Sequence, residues 1–218
     1  MKKFAAALLI GVMFAGVLAY AREPANLSIT KQKLIKYHDS GAYMDDIADV
    51  DQDALRYLEL RIKRADFHGK PAIVLDIDET ALSNYPDMVK LNFGGTLQQF
   101  IAMEDKGKDK AIVPTLKLYR FAKENHVAIF FITGRFEEER KITEENLKNA
   151  GYTEFNGLFL RQGQYRTAPA AVYKTAIRKQ LTEQGYDILL NVGDQKSDLR
   201  GGYSDKTFKL PNPYYLIP

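Results

Sequence analysis

Residues 73–80, with the sequence IVLDIDET, join an apolar strand directly to a cluster of acids. Three apolar residues with strand character precede three acids that lie within four positions. Close carboxylates repel one another and raise each other's pKa values. Such a cluster persists where a divalent cation held by oxygen ligands offsets the repulsion. Because open α/β sheets bind ligands at the carboxyl ends of their strands, the segment predicts a metal-dependent site at a strand end.

Apolar runs and helical patterns alternate along most of the chain. Helical spacing of apolar residues covers residues 28–67, and further helices are predicted at about 96–103, 114–125, 136–149 and 167–185. Buried strands are predicted at about 72–76, 127–132, 158–160, 188–192 and 208–210. Alternating strands and helices indicate βαβ units with right-handed crossovers. The pattern therefore predicts an α/β fold with a doubly wound parallel sheet and a helical N-terminal extension.

The first 21 residues have the pattern of a secretory signal peptide. A basic MKK start precedes an apolar run over residues 4–18, and Ala19-Tyr20-Ala21 fits a small-x-small cleavage site. An uncleaved membrane anchor is the alternative, but the apolar run is short for a span. We therefore expect cleavage after Ala21, a periplasmic or secreted bacterial protein, and no stable membrane anchor after cleavage.

The predicted mature chain, residues 22–218, has a length that suits one domain with a sizeable core. Residues 22–70 form its helical extension. Residues 81–112 are rich in turn signals and charged residues, and they interrupt the alternation of strands and helices. We expect this segment to be a small insert on the functional face of the sheet.

Charge and cysteine content exclude several classes of protein. Removal of residues 1–21 takes away two lysines and no acids, so the net charge falls from +3 to +1. No basic stripe remains that would bind a nucleic acid polymer. The chain contains no cysteine, which excludes disulfides and a cysteine-linked lipid anchor. The sequence leaves the oligomeric state open.

Chemically distinctive side chains follow several of the predicted strands. They are Asp76 and Asp78 after the first strand, Thr133 after the second, Lys174 in the helix after the third, and Asp194 and Asp198 after the fourth. Because the carboxyl ends of parallel strands meet at one edge of a sheet, these side chains can surround one cavity. A phosphoryl group needs a cation, hydrogen-bond donors and a positive side chain. The set therefore suits a phosphate ester, with Mg²⁺ as mediator between the acids and the phosphate.

These motifs resemble the haloacid dehalogenase (HAD) superfamily, in particular its acid phosphatase branch, subfamily IIIB. The first motif, Asp-x-Asp-x-Thr, matches residues 76–80, and the second matches Thr133 within FFITGR. The third matches Lys174 within VYKTAIR, and the fourth matches Asp194 and Asp198 within NVGDQKSDL. The longer VLDIDETALSNY and the closing FKLPNPYY are typical of this branch, which includes bacterial secreted acid phosphatases and plant vegetative storage proteins.

The resemblance implies a role for each motif residue. Asp76 would be the nucleophile, Asp78 the general acid and base, and Thr133 and Lys174 the ligands of the phosphoryl oxygens. Mg²⁺ would be held by Asp76, Asp78 through its backbone carbonyl, and Asp194, with Asp198 as a supporting, water-mediated partner. The implied activity is exported, Mg²⁺-dependent hydrolysis of small phosphomonoesters, including nucleoside monophosphates, through an aspartyl-phosphate intermediate.

Two other functions remain open at this point. A phosphotransferase would pass the same aspartyl-phosphate to an alcohol instead of water. The other possibility is a storage or binding protein with the same fold, because plant storage proteins of this branch can lack the nucleophile. The presence of Asp76 and of every other motif residue counts against that loss.

Four residues near the motifs have roles that the sequence does not decide. Tyr85 and Phe93 lie in the insert, where their rings can stack on a nucleobase or aryl group or belong to the core. Arg135 follows Thr133 closely and either approaches the substrate or pairs with an acid. Thr80 is expected to cap the turn after the first strand.

Overall fold

The computed structural model of the protein describes residues 23–218, and the predicted signal peptide, residues 1–21, lies outside the described residues. The helices are α1 (Leu27–Asp39), α2 (Ala42–Arg64), α3 (Tyr85–Lys90), α4 (Leu97–Glu104), α5 (Val113–Glu124), α6 (Arg140–Asn149), α7 (Ala170–Glu183) and α8 (Lys196–Leu199). The strands are β1 (Lys70–Leu75), β2 (Leu82–Ser83), β3 (Lys110–Ala111), β4 (Ala128–Phe136), β5 (Gly157–Arg161), β6 (Tyr186–Gly193) and β7 (Lys206–Lys209).

Five of these strands form one parallel sheet in the order β5-β4-β1-β6-β7. The chain runs from β1 outward through β4 to β5, and then crosses to the other side for β6 and β7. The strand order therefore reverses beside β1, and such a reversal opens a crevice at the carboxyl ends of the strands. The predicted α/β fold with a doubly wound parallel sheet is confirmed.

Helices cover both faces of this sheet. Side chains of β1 alternate between two apolar clusters, since Ile73 and Leu75 pack with α2 and α5 while Ala72 and Val74 pack with α7. The region between about residues 28 and 67, which was predicted to be helical, consists of α1 and α2. Helix α2 lies against α5 and β6, so it covers part of the sheet.

The insert at residues 81–112 has more regular structure than the single predicted helix. That helix is α4, and a Thr96–Gln99 capping box defines its start. The insert also contains α3 and the antiparallel pair of β2 and β3. Pro86, one of the residues that suggest a turn in this segment, lies in the first turn of α3, where proline is tolerated.

Across residues 23–218, the structure contains no helix that combines the length and the apolar character needed to cross a membrane.

A buried acid links α2 to α5. The Oδ2 atom of Asp51 accepts a hydrogen bond from the Thr115 hydroxyl at 2.7 Å, while Oδ1 is buried and has no partner within the described residues. Burial raises the pKa of Asp51 to about 7. Because an unfolded aspartate titrates near pH 3.9, the folded chain keeps a proton that the unfolded chain has lost between about pH 4 and pH 7.

We therefore expect Asp51 to reduce stability as the pH rises through that window. Asp51→Asn keeps an acceptor for Thr115 and removes the charge. The free energy of unfolding of this variant, relative to that of the wild type, should therefore rise by on the order of 3 kcal/mol between pH 5 and pH 8. Urea unfolding at the two pH values measures this difference. The control is Asp53→Asn, an exposed change on the same helix, for which we expect a constant difference. An equally constant difference for Asp51→Asn would contradict the assignment.

Candidate active site

The carboxyl edge of the sheet contains a cavity of about 440 Å³. Five of the six predicted site residues line it, namely Asp76, Asp78, Lys174, Asp194 and Asp198. The sixth, Thr133, is buried beside it within β4, three residues before the strand ends, and next to the lining residues Gly134 and Arg135. The strand ends thus bring together residues that lie up to about 120 positions apart, as the parallel topology requires.

The Lys174 ammonium joins two of the acids. It extends from α7 and donates hydrogen bonds to Oδ1 of Asp76 and, at 2.7 Å, to Oδ1 of Asp198. Burial alone would lower the pKa of Lys174, but the charges of Asp198 and Asp76 raise it above the usual range. Lys174 therefore stays charged and offsets part of the repulsion between the carboxylates.

Three buried carboxylates form a compact oxygen cluster. One oxygen from each of Asp76, Asp194 and Asp198 lies within 4.8 Å of the other two. Burial raises the pKa of Asp76 well above its usual range, the charges of Asp198 and Asp194 raise it further, and Lys174 opposes them. The pKa of Asp194 is raised too, first by burial and then by Asp198. Three acids beside one lysine leave an excess of negative charge.

This cluster suits a hard divalent cation such as Mg²⁺, because its donors are carboxylate oxygens and Lys174 compensates only part of its negative charge. Lys174 binds Oδ1 of Asp76, and Oδ2 of Asp76 accepts no hydrogen bond from the residues that the structure describes. Asn212 and Gln195 each donate to Oδ2 of Asp194 at 2.6 Å and fix its orientation. Asp198 uses its second oxygen to accept the Gln195 N–H at 2.7 Å.

The Asp78 side chain belongs to a separate network. Its Oδ1 atom accepts hydrogen bonds from Arg135 Nη2 at 2.6 Å and from Asn84 Nδ2 at 2.8 Å. Burial would raise the pKa of Asp78, but Arg135 holds it below its usual range. Arg135 also pairs with Asp109 at 3.3 Å. Of the two roles considered for Arg135, the structure shows the ion pair.

Thr133 connects to this second network. Its hydroxyl lies 3.4 Å from Oδ2 of Asp78 as a donor and accepts the Arg135 N–H at 3.1 Å. Thr80, which was expected to cap the turn after β1, instead donates its hydroxyl to Oδ1 of Asp194 at 3.3 Å. This contact joins the loop after β1 to the loop after β6, which no local pattern around Thr80 indicates.

Glu79 has a structural function that the sequence did not reveal. It is fully buried at a positive φ of 52°. Its Oε2 atom accepts the Tyr43 hydroxyl at 2.5 Å, and its Oε1 atom accepts the Asn84 N–H at 2.6 Å. Glu79 therefore ties the loop that carries Asp78 to helix α2. Burial raises its pKa to about 7.

Tyr85 and Phe93 pack against the body of the protein. Their rings contact Tyr214, and Tyr85 also stacks on His38 and donates its hydroxyl to Asp39 at 3.1 Å. Neither ring is among the cavity-lining residues. Of the two roles considered for these rings, the structure favours packing.

Apolar residues surround the mouth of the cavity. Leu97, Phe100 and Ile101 come from α4 in the insert, and Leu216 and Ile217 come from the end of the chain. The Ile217 N–H donates to the Gln195 side-chain oxygen at 3.0 Å, which ties the C-terminal segment to the acid loop. The sequence contained the closing FKLPNPYY only as a family pattern and did not place it at the site.

The fold and this acidic site define a HAD-type phosphoric monoester hydrolase. A family model described as HAD superfamily, subfamily IIIB (acid phosphatase), matches residues 9–218. The chain therefore belongs to subfamily IIIB of the HAD superfamily, the acid phosphatases. This confirms the resemblance and the enzyme class that the motifs predicted.

Several plant proteins are similar to this chain in sequence. The stem 28 kDa glycoprotein of Glycine max is 39% identical, over 80% of this chain and 70% of that protein. Acid phosphatase 1 of Solanum lycopersicum is 38% identical, over 68% of this chain and 60% of that protein. Vegetative storage protein 1 of Arabidopsis thaliana is 29% identical, over 96% of this chain and 77% of that protein.

The class C acid phosphatase from Bacillus anthracis shares the fold. Its structure superposes with a TM-score of 0.73 and 22% sequence identity, covering 86% of each chain.

We expect Arg135 to be required for stability because it faces buried acids. Arg135→Met leaves Asp78 and Asp109 without their cation, which should cost about 3–5 kcal/mol of unfolding free energy. Adding Asp109→Asn should recover part of this loss. Denaturant unfolding at neutral pH measures both effects.

The matched control is Arg56→Met, which removes an exposed arginine paired with Asp53. This change should cost about 1 kcal/mol or less. If Arg135→Met were no more harmful than Arg56→Met, the ion pair with Asp78 would not have the assigned importance.

Proposed function

We propose that the protein is an exported, Mg²⁺-dependent acid phosphatase that hydrolyses small phosphomonoesters through an aspartyl-phosphate at Asp76. The observation that carries the proposal is the position of Asp76. Its carboxylate lies in the cavity beside the Lys174 ammonium, and its Oδ2 atom has no hydrogen-bond donor among the described residues. A carboxylate with one oxygen held and one oxygen open is suited to attack phosphorus.

Substrate binding in this proposal depends on positive charge at the base of the cavity. Lys174 and the Thr133 hydroxyl would hold phosphoryl oxygens, and the proposed Mg²⁺ ligands are Asp76, Asp194 and the backbone carbonyl of Asp78. Bound there, Mg²⁺ would supply the positive charge that lets a phosphate dianion approach several acids. Asp198 would support the site through its hydrogen bonds to Lys174 and Gln195.

The chemistry divides into two displacements at phosphorus. In the first, Oδ2 of Asp76 forms a bond to phosphorus while the bond to the ester oxygen breaks, and Asp78 gives that oxygen a proton. In the second, Asp78 takes a proton from water, whose oxygen bonds to phosphorus and releases phosphate from Asp76. Both carboxyl groups return to their starting states, so the cycle balances.

The surroundings of Asp78 give a physical reason for activity in acid. Arg135 lowers the pKa of Asp78, so the side chain is ionised at neutral pH. To protonate a leaving oxygen, Asp78 must first gain a proton, and acidic medium favours that state. The ionised form then suits the second step, in which water must lose a proton.

Export and substrate size rest on other features. The signal-peptide pattern of residues 1–21 supports export, with cleavage after Ala21. A cavity of about 440 Å³ is in the range of small-molecule sites, and its apolar mouth suits an aromatic or nucleoside alcohol.

Two alternatives use the same fold. A phosphotransferase would give the phosphoryl group to an alcohol, and an assay at high alcohol concentration separates the two by comparing transferred with free phosphate. A storage or binding role is suggested by the similarity to vegetative storage protein 1 of Arabidopsis thaliana. The intact set of acids with Lys174 favours catalysis over that role.

The nucleophile assignment predicts the effect of Asp76→Asn. The amide cannot form the aspartyl-phosphate, so turnover of phenyl phosphate should fall by about 10³-fold or more. The melting temperature should not fall, because the change also removes a buried charge. Asp53→Asn on the exposed face of α2 is the control and should keep full activity. Hydrolysis by Asp76→Asn at the wild-type rate would refute the assignment.

The metal assignment predicts loss of activity with EDTA and recovery with Mg²⁺. A second measurement does not depend on turnover. Because Mg²⁺ would bind the folded state and relieve repulsion between acids, it should raise the melting temperature of the wild type. Asp194→Asn should remove most of this increase. Activity that persists in EDTA, together with no thermal shift, would rule out the metal.

A further inference from the structure

Three cationic side chains line the cavity, and they differ in their partners. Lys174 binds Asp76 and Asp198, and Arg135 binds Asp78 and Asp109. The side chain of Arg161, the last residue of β5, makes no ion pair or hydrogen bond with any residue in the described part of the chain. Arg161 is therefore the cavity cation whose charge is available to a ligand.

The surroundings of the Arg161 side chain make its lack of a hydrogen-bond partner energetically unfavourable. The side chain is partly buried, and its Nε atom is fully buried without a hydrogen-bond partner. A buried donor without an acceptor costs free energy, and the cost is larger for a charged group. Burial lowers the pKa of the Arg161 guanidinium below its usual range, and the nearby Tyr173 hydroxyl opposes the effect only in part. An anion in the cavity would relieve this cost.

The N-terminus of α7 adds a second positive feature to the same cavity. Ala170, its first residue, lines the cavity. Pro169 precedes it without a side-chain cap, and the first turn contains no acid. Within residues 23–218, the N–H groups of Ala170 and Ala171 have no acceptor. Free N–H groups at a helix N-terminus favour a bound anion.

Arg161 is displaced from the reacting centre. It pairs in register with Phe136, three residues beyond Thr133 along β4. Its strand is separated from β1 by one strand, which corresponds to about 10 Å between the two backbones. This displacement of the Arg161 backbone from Asp76 would leave the guanidinium to the alcohol portion of a phosphomonoester whose phosphoryl group lies at Asp76.

We propose that Arg161 and the N-terminus of α7 form a subsite for a second anionic group, a carboxylate or a phosphate, on the alcohol portion of the substrate. The proposal deepens the proposed phosphatase function and rests on it. Arginine suits this task because its planar donors can bind either anion through two parallel hydrogen bonds.

Two further acids define the competing possibility. Glu104 and Glu139 also line the cavity, and their carboxyl groups lie within hydrogen-bonding reach of each other. If the negative charge of these two acids outweighed the positive charge of Arg161, the subsite would bind a cation and not an anion. Burial and the charge of Asp78 raise the pKa of Glu104 to about 9, so it is protonated at neutral pH and repels an anion less.

The test uses benzylphosphonates, which are not hydrolysed, with four para groups: carboxylate, phosphonate, carboxamide and aminomethyl. Their Kd values are measured by calorimetry on the Mg²⁺-loaded mature protein. We expect at least one of the two anionic ligands to bind roughly tenfold more tightly than the carboxamide. The stronger of the two identifies the anion that the subsite prefers.

Variants locate the source of this preference. Arg161→Gln should bring the anion-to-carboxamide ratio of Kd values close to one, whereas Arg161→Lys should keep part of it. Arg166→Gln is the matched control, because Arg166 is an exposed arginine paired with Glu138, and it should keep the wild-type ratio. Thermal melting confirms that each variant is folded.

Several outcomes would overturn the subsite. They are a ratio that survives Arg161→Gln, equal weakening of all four ligands in that variant, tightest binding of the aminomethyl ligand, or no binding of any ligand. Because the phosphonates report binding without turnover, these results are independent of catalysis. Failure of the phosphatase function itself would appear separately, as a wild-type protein that does not hydrolyse phenyl phosphate.

Discussion

The structure depends on how it keeps four carboxylates together at one buried edge of a sheet. Asp76, Asp78, Asp194 and Asp198 would repel one another strongly at these distances if no cation lay between them. Lys174 connects the end of β1 to Asp198 in α8, and Arg135 connects Asp78 to the insert through Asp109. These bonds hold three sheet strands, α7 and the insert around one cavity, so the same ion pairs that permit the acidic site also position its walls.

Lys174 and Arg135 also give different electrostatic environments to two acids that are almost adjacent in sequence. Asp76 and Asp78 lie two positions apart, yet the pKa of the first is raised and that of the second is lowered. Burial favours a higher pKa at both positions. At Asp76 the charges of Asp198 and Asp194 add to burial and Lys174 does not outweigh them, whereas at Asp78 the charge of Arg135 outweighs burial. Different environments for paired carboxyl groups are what a division between nucleophile and proton carrier requires. The proposed roles therefore agree with the electrostatics of the two positions.

Local sequence patterns predicted much of the fold and the motif residues of the site. Apolar runs located all five strands of the main sheet, and the parallel topology then brought the motif residues to one edge. What local patterns missed depends on contacts between distant segments. Tyr43 and Glu79 meet across 36 positions, and Thr80 reaches Asp194 across 114 positions, so neither contact has a signature in its own neighbourhood. The same is true of the part of the cavity wall that Leu216 and Ile217 form, and of the Arg161 side chain, which has no partner among the described residues. Both depend on contacts that exist only in the folded chain.

The central claim is that Asp76 accepts the phosphoryl group, and chemical trapping tests it most directly. Turnover of phenyl phosphate is quenched with acid, and the protein is reduced with borohydride, which converts an aspartyl-phosphate to homoserine. Peptide mass spectrometry then locates the modified residue. We predict homoserine at position 76, dependent on substrate and absent from Asp76→Asn. Steady hydrolysis without homoserine at position 76, or homoserine at position 78 instead, would contradict the account.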